Sequence, residues 1–274
     1  MVALTICLAI IIPLEGGYSN LRTKKPLLHL IRGSSVVVAN ICFFSGIAVL
    51  PLAEVTAIFF ISPLLITFFA AVFLKEEVGW FRWSALLLGL IGVLLIVKPF
   101  GISFRWESLL PLMAAFSYSL LQILTRKLGP KEKASTMAFY IQVSFLTYMG
   151  ILVCILHNGR FDIIDHPSLQ FLTKAWVWPT GIDWILIAFI GITNAFGGYL
   201  ISQAYRLSVA GLVSPFEYSS LVLSVFWGII IWGEYLTLLS ALGIIIILVS
   251  GIIIAMREAV RNINPSIKKA SFRR

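Results

Sequence analysis

Charge is what this sequence has least of. Of its 274 residues only 12% are charged while 59% are apolar, and the mean hydropathy is +0.99. That leaves too little polar surface to clothe a water-soluble globule, which excludes a soluble domain of ordinary composition. Cysteine is scarce as well. Cys7, Cys42 and Cys154 lie far apart in apolar stretches, an odd number with neither disulfide nor metal spacing, and are expected as small core residues. Catalytic signatures are missing: there is no Gly-x-Ser-x-Gly, no Walker loop and no His-Glu-x-x-His. An ATP-driven pump is therefore not indicated, and neither an enzyme nor a cofactor is expected. One remote alternative is a membrane acyltransferase, because His157 to Asp162 has an H-x4-D spacing in which a carboxylate could orient a histidine base. The companion blocks of such enzymes are absent. His157, Asp165 and His166 make a weak metal set, so no metal is assigned.

What the chain has in abundance is long apolar runs without alternation, at about 2–14, 33–52, 54–74, 84–99, 107–126, 134–156, 183–204, 209–232 and 236–256. A hydrocarbon core about 30 Å thick needs about 20 helical residues to cross it, and in lipid only helices or closed barrels satisfy their own backbone. These runs predict an all-α integral membrane protein with about eight full spans and one partial span, residues 2–14. Short polar clusters join the spans, and the one long connection is 157–182.

The net charge of +9 is distributed by side rather than by surface patch. If the helices alternate, Lys98, Arg105, Arg160 and Lys174 fall on one side, and the other 17 of the 21 basic residues, Arg32 among them, fall on the opposite side. That asymmetry marks the rich side, including the C-terminus, as cytoplasmic. Nucleic-acid binding would need a folded soluble basic face, and no segment is available to build one. Trp80, Trp83, Trp106, Trp176, Trp178, Trp184 and Trp232 fall near expected helix ends, where an amphipathic ring favours the headgroup layer.

The chain also repeats itself. Ser62-Pro63-Leu64-Leu65 through Lys75-Glu76 leads into a helix with Gly89 and Gly92. Ser219-Ser220-Leu221-Val222 through Gly233-Glu234 leads into one with Gly243 and Gly251, and an offset of 158 superimposes Glu76 on Glu234. A repeat with an odd number of helices enters the membrane from opposite sides in its two copies, the architecture of secondary transporters. The expected division is 1–99, 107–256 and a basic cytoplasmic tail, 257–274. The second copy holds five helices and the first only three full spans. The repeat therefore predicts that the first copy lacks its first helix and part of its second; a signal peptide or a native nine-helix chain are the competing readings.

Arg32-Gly33 through Pro99, with Leu52-Ala53-Glu54-Val55-Thr56-Ala57, Ser62-Pro63, Leu74-Lys75-Glu76-Glu77-Val78-Gly79 and Gly89-Leu90-Ile91-Gly92-Val93, resembles an EamA domain of the drug/metabolite transporter superfamily. Ser214-Pro215-Phe216-Glu217-Tyr218-Ser219-Ser220-Leu221 and Gly233-Glu234 resemble its partner domain. The resemblance implies an inverted pair of five-helix repeats, ten helices in the family, and alternating-access transport of a small-molecule metabolite across the bacterial inner membrane. One subgroup it resembles imports S-adenosylmethionine; others export amino acids or related metabolites. A homodimer is left open, the lipid bilayer is the other partner, and a non-transporting scaffold or assembly protein is the alternative reading.

Polar side chains inside lipid are costly, so they face protein or a water-filled cavity. Glu217, two residues after Pro215, could pair with a cationic substrate or carry a coupled proton; a carboxyl satisfied by a neighbouring Tyr is the structural alternative. Pro63 in mid-helix could open the bundle. Asn40, Tyr118, Gln122, Tyr140, Asn194, Tyr199, Gln203 and Tyr218 could line a cavity or make interhelical hydrogen bonds, as could Gln142. Gly197-Gly198 is expected to allow close helix packing, and Glu54, Glu76 and Glu234 to favour helix ends.

Overall fold

In the computed structural model every expected run carries a helix. The structure describes residues 1–75, 79–97, 105–130, 132–156, 167–174, 177–208, 213, 217, 219–233, 235 and 237–263. We number the helices α1 (Val2–Leu14), α2 (Pro26–Ile47), α3 (Leu52–Phe59), α4 (Ser62–Leu74), α5 (Trp80–Val97), α6 (Leu109–Leu128), α7 (Ala134–Leu156), α8 (Pro167–Thr173), α9 (Asp183–Leu207), α10 (Ser219–Trp232) and α11 (Leu238–Ile263). No strand occurs among the described residues. Among the described residues five helices are long and apolar enough to cross a membrane: α2, α3 and α4 taken as Glu54–Leu74, α6 with its 3-10 lead as Trp106–Leu128, α7, and α9. Shorter apolar helices fill the remaining expected positions.

Proline sets two helix starts that the apolar runs do not show. The run expected from residue 33 begins at Pro26, because proline at N1 presets φ and lacks an N–H where a helix needs none. His29 and Arg32 are thereby drawn inside α2, although the expected run places Arg32 just ahead of the span, on the cytoplasmic side. Pro167 likewise opens the short α8 within the long connection.

Proline also interrupts α1. Residues Cys7–Ile11 widen into a π turn just before Pro13. A five-residue register would pair the carbonyl of Leu8 with Pro13, which has no N–H, and Tyr18 Oη donates to that carbonyl instead at 3.1 Å. The run 54–74 is not one helix but two: Phe60 and Ile61 form a turn, and Pro63 sits in the first turn of α4. The offset of 158 has a backbone counterpart here. Lys75 ends α4 with φ 55°, and Gly233 follows α10 with φ 64°. Both copies of the repeat thus place a left-handed residue after the same helix, one with glycine and one at the steric cost of a lysine.

The helices form two compact units, Met1–Val49 with Leu120–Ser208, and Leu50–Ser119 with 209–274, so each unit draws on both copies of the sequence repeat. In the first unit α2 packs on α7 and α8, and α1 packs on α7 and α9. Its core sets Ala3, Cys7 and Ile11 against Ala138 and Ala195. Small residues do the work that apolar bulk does in water, since lipid offers no hydrophobic reward for helix association. Gly33 touches the Ser144 side chain, and a Cβ at Gly191 would lie 2.6 Å from Val2 Cβ.

The second unit is centred on α5 and α11, which are sequence equivalents in the repeat. They meet at two glycines: a Cβ on Gly92 would lie 2.8 Å from the Gly243 carbonyl oxygen, and one on Gly243 would lie 2.6 Å from that of Gly92. Around this crossing pack Ala57, Ile58, Phe60, Ile61, Leu64, Val93, Ile96, Ala115, Ile244 and Ile247. No close approach explains Gly197-Gly198, where a Cβ would meet nothing within 4 Å. Large apolar side chains such as Phe189, Ile190, Leu200, Ile230 and Ile252 are exposed, as a lipid-facing surface requires.

Candidate functional site

In the second unit two of the candidates meet. Tyr118 Oη, on α6, donates to Glu217 Oε1 at 3.0 Å, so the tyrosine neighbour weighed as the structural alternative is present. The Tyr118 ring tilts against Phe59 with centroids 5.3 Å apart, and Phe59 is the last residue of α3 before the helix break. One residue along α6, Ser119 Oγ donates to the Ser62 carbonyl at 3.1 Å, fixing α6 against the start of α4. Pro63 itself is buried, and its carbonyl accepts from Thr67 Oγ1 at 3.0 Å. Glu54 lies in the first turn of α3, where its charge favours the helix end, and accepts from Ser240 Oγ at 3.4 Å. Tyr218, Pro215, Glu76 and Glu234 lie outside the described residues, as does the His157 to Asp162 segment.

The first unit holds the remaining candidates in interhelical bonds. Gln142 Nε2 donates to Asn194 Oδ1 at 2.9 Å, joining α7 to α9. Tyr140 Oη donates to the Leu21 carbonyl at 3.0 Å, Tyr199 Oη to Glu15 Oε1 at 3.0 Å, and Arg206 to Gln203 Oε1 at 3.3 Å. Asn40 turns back on its own helix, donating to the Val36 carbonyl at 2.9 Å, and Gln122 is buried.

Sequence reasoning missed the most buried charge of this unit. Arg32 is 2% exposed and spends its guanidinium on three helices: Nε on Thr125 Oγ1 at 2.7 Å, Nη1 on the Met137 carbonyl at 2.7 Å, and Nη2 on Ser202 Oγ at 3.0 Å. Among the described residues no carboxylate forms an ion pair with it. Nearby, Glu15 ties the end of α1 to the start of α7, accepting from the Ser135 N–H at 2.9 Å, while Lys133 Nζ donates to the Glu15 carbonyl at 2.6 Å. Burial alone would raise the Glu15 carboxyl. Hydrogen bonds from Ser135 and Tyr199 and the charge of Arg206 hold it below the usual carboxylate range instead. The signal that could have found Arg32 was Pro26, a helix-start residue six positions upstream.

A helical fold with spans of this length is that of an all-α membrane protein. A solved crystal structure shares it, superposing with a TM-score of 0.63 at 19% identity over 93% of this chain and 84% of the other. The EamA-like transporter family matches residues 1–98 of the chain. Its relatives include an S-adenosylmethionine uptake transporter of Rickettsia bellii, 25% identical over 242 residues, covering 88% of this chain and 77% of the relative. A riboflavin transporter of Vibrio cholerae is 28% identical over 238 residues, covering 85% of this chain and 74% of the relative. The chain is accordingly similar to membrane transporters of metabolites.

Proposed function

We propose that this chain is a secondary transporter that carries a small metabolite across a bacterial inner membrane by alternating access. In this reading residues 1–99 and 107–256 are inverted repeats, the tail from residue 257 is cytoplasmic, and no chemical step is catalysed. The observation that carries the reading is the Glu217 carboxylate held by Tyr118, with Phe59 against the tyrosine ring. A carboxylate held by a tyrosine whose ring packs on a second aromatic suits a solute that is both cationic and ring-bearing. S-adenosylmethionine, a sulfonium cation with an adenine ring, has both properties. Riboflavin has a ring system without the cation. S-adenosylmethionine is therefore the first substrate to test, ahead of amino acids and related metabolites. A non-transporting scaffold would gain nothing from the cost of an acid inside lipid.

The test is uptake of labelled S-adenosylmethionine and riboflavin by proteoliposomes holding the full chain. Saturable uptake of S-adenosylmethionine is expected, falling at least about tenfold in Glu217→Gln, because a charge-assisted contact is worth about 1.5–3 kcal/mol. Riboflavin uptake alone would replace the substrate, and wild-type rates in Glu217→Gln would remove the acid from the site. Failure to move any of a broad metabolite panel would favour the scaffold.

A further inference from the structure

His29 lies three residues before Arg32 on α2, is 2% exposed, and has no hydrogen-bond partner at either ring nitrogen among the described residues. A buried imidazole with neither nitrogen satisfied forfeits the hydration of a donor and an acceptor at once. Its Nε2 faces Glu132 Oε1 across 3.9 Å, a gap about 1 Å too long for a charge-assisted hydrogen bond. The other face of the ring stacks on Tyr140 with centroids 4.4 Å apart, which fixes the imidazole in place. Meanwhile Glu132 Oε1 accepts from Thr23 Oγ1 at 2.6 Å. That hydroxyl is oriented in turn by the Lys25 N–H at 2.9 Å.

The backbone of Glu132 is held while its side chain has two partners within reach. Its N–H donates to the Leu128 carbonyl at 3.0 Å, and its carbonyl accepts from Arg206 Nε at 3.0 Å. A carboxylate on an anchored turn, bonded to a hydroxyl and one short step from an unsatisfied imidazole, has two arrangements. With His29 neutral, Glu132 rests on Thr23. With His29 protonated, the ring carries an N–H on Nε2 and a positive charge, and the carboxylate gains by closing on it. Among the described residues the charged and titratable groups that face the ring are few. They are Glu132 from the turn between α6 and α7, Tyr140 from α7, and Arg32 from α2 itself. Arg206 of α9 acts through the Glu132 carbonyl, and α8, which also packs on α2, carries no titratable side chain along Pro167–Thr173.

We propose that His29 is a proton-binding site of this protein, taking a proton from water onto its ring and handing Glu132 over from Thr23 as it does so. Proton occupancy is thereby coupled to the contact between α2 and the turn that joins α6 to α7. The site requires no assumption about which solute is carried.

The sequence contains only three histidines, so His157→Gln with His166→Gln leaves His29 as the sole one. The full-length protein in this background, labelled with 15N-histidine and held in detergent micelles, reports the ring protonation directly by NMR. Between about pH 4 and pH 8 His29 is expected to titrate. Glu132→Gln should weaken its proton affinity by about tenfold or more, since the closing carboxylate is lost. Thr23→Val removes the competing hydroxyl and should strengthen it. That second variant is a near-isosteric change and decides the matter alone if Glu132→Gln yields no folded protein. A ring that stays neutral throughout, or an affinity that Thr23→Val does not raise, overturns the proposal.

Discussion

Arg32 shows how a single residue can be charged, buried and still well held. Two of its three acceptors have other commitments: Thr125 Oγ1 also donates to the Leu121 carbonyl, and Met137 lies in the first turns of α7, where its carbonyl is part of the helix ladder. Removing the arginine therefore strands few groups, while shortening it strands a charge. Arg32→Met should change unfolding free energy by less than about 1 kcal/mol, in line with other buried charges replaced by apolar residues. Arg32→Lys, whose ammonium cannot reach three helices at once, should cost about 2–3 kcal/mol. Thermal or denaturant unfolding of the two variants in detergent checks the order. If methionine is the worse substitution, Arg32 is a structural keystone rather than a tolerated cation.

At the scale of elements, the crossing of α5 and α11 rests on two glycines with no room for a side chain. Gly92→Val should lower stability by about 2 kcal/mol, the order expected of overpacking, because the atom it meets is backbone oxygen that no rotamer change can move. Gly150→Ala is the control: a Cβ there meets nothing within 4 Å, and alanine is the better helix former by about 1 kcal/mol. Much of this level was legible in the sequence. Apolar length located the long helices but not α8 or the break within 54–74, and the repeat made α5 and α11 equivalent helices before their contact was known. Helix starts were harder, since Pro26 extends α2 through polar residues that a hydropathy reading discards. The Tyr118 to Glu217 pair joins residues 99 apart in sequence, and only the folded chain reveals it. The roles of His29, Glu15 and Glu132 were invisible for a related reason. Each is an ordinary polar residue near a helix end, and only packing shows which of them lost its water.

For the whole molecule the sidedness implied by the basic residues is open to direct measurement. Cysteine replaces Thr180, exposed in the long connection, or Ser271, in the basic tail that lies outside the described residues. With an impermeant thiol reagent on intact cells, only Thr180→Cys should react; labelling of Ser271→Cys instead reverses the orientation. Ser168 in the same connection is a poor reporter because it is buried. The two compact units are each assembled from distant stretches of chain, and Arg32 again shows what that entails. Its partners Thr125, Met137 and Ser202 stand 93, 105 and 170 residues further on. A ribosome that has just delivered α2 has made an arginine-bearing span and none of the groups that will hold it, and such a residue costs about 2.5–3.5 kcal/mol at a span's centre. Biosynthesis must therefore shelter α2, in the insertion machinery or at the headgroup layer, until α9 emerges to complete the guanidinium's third bond.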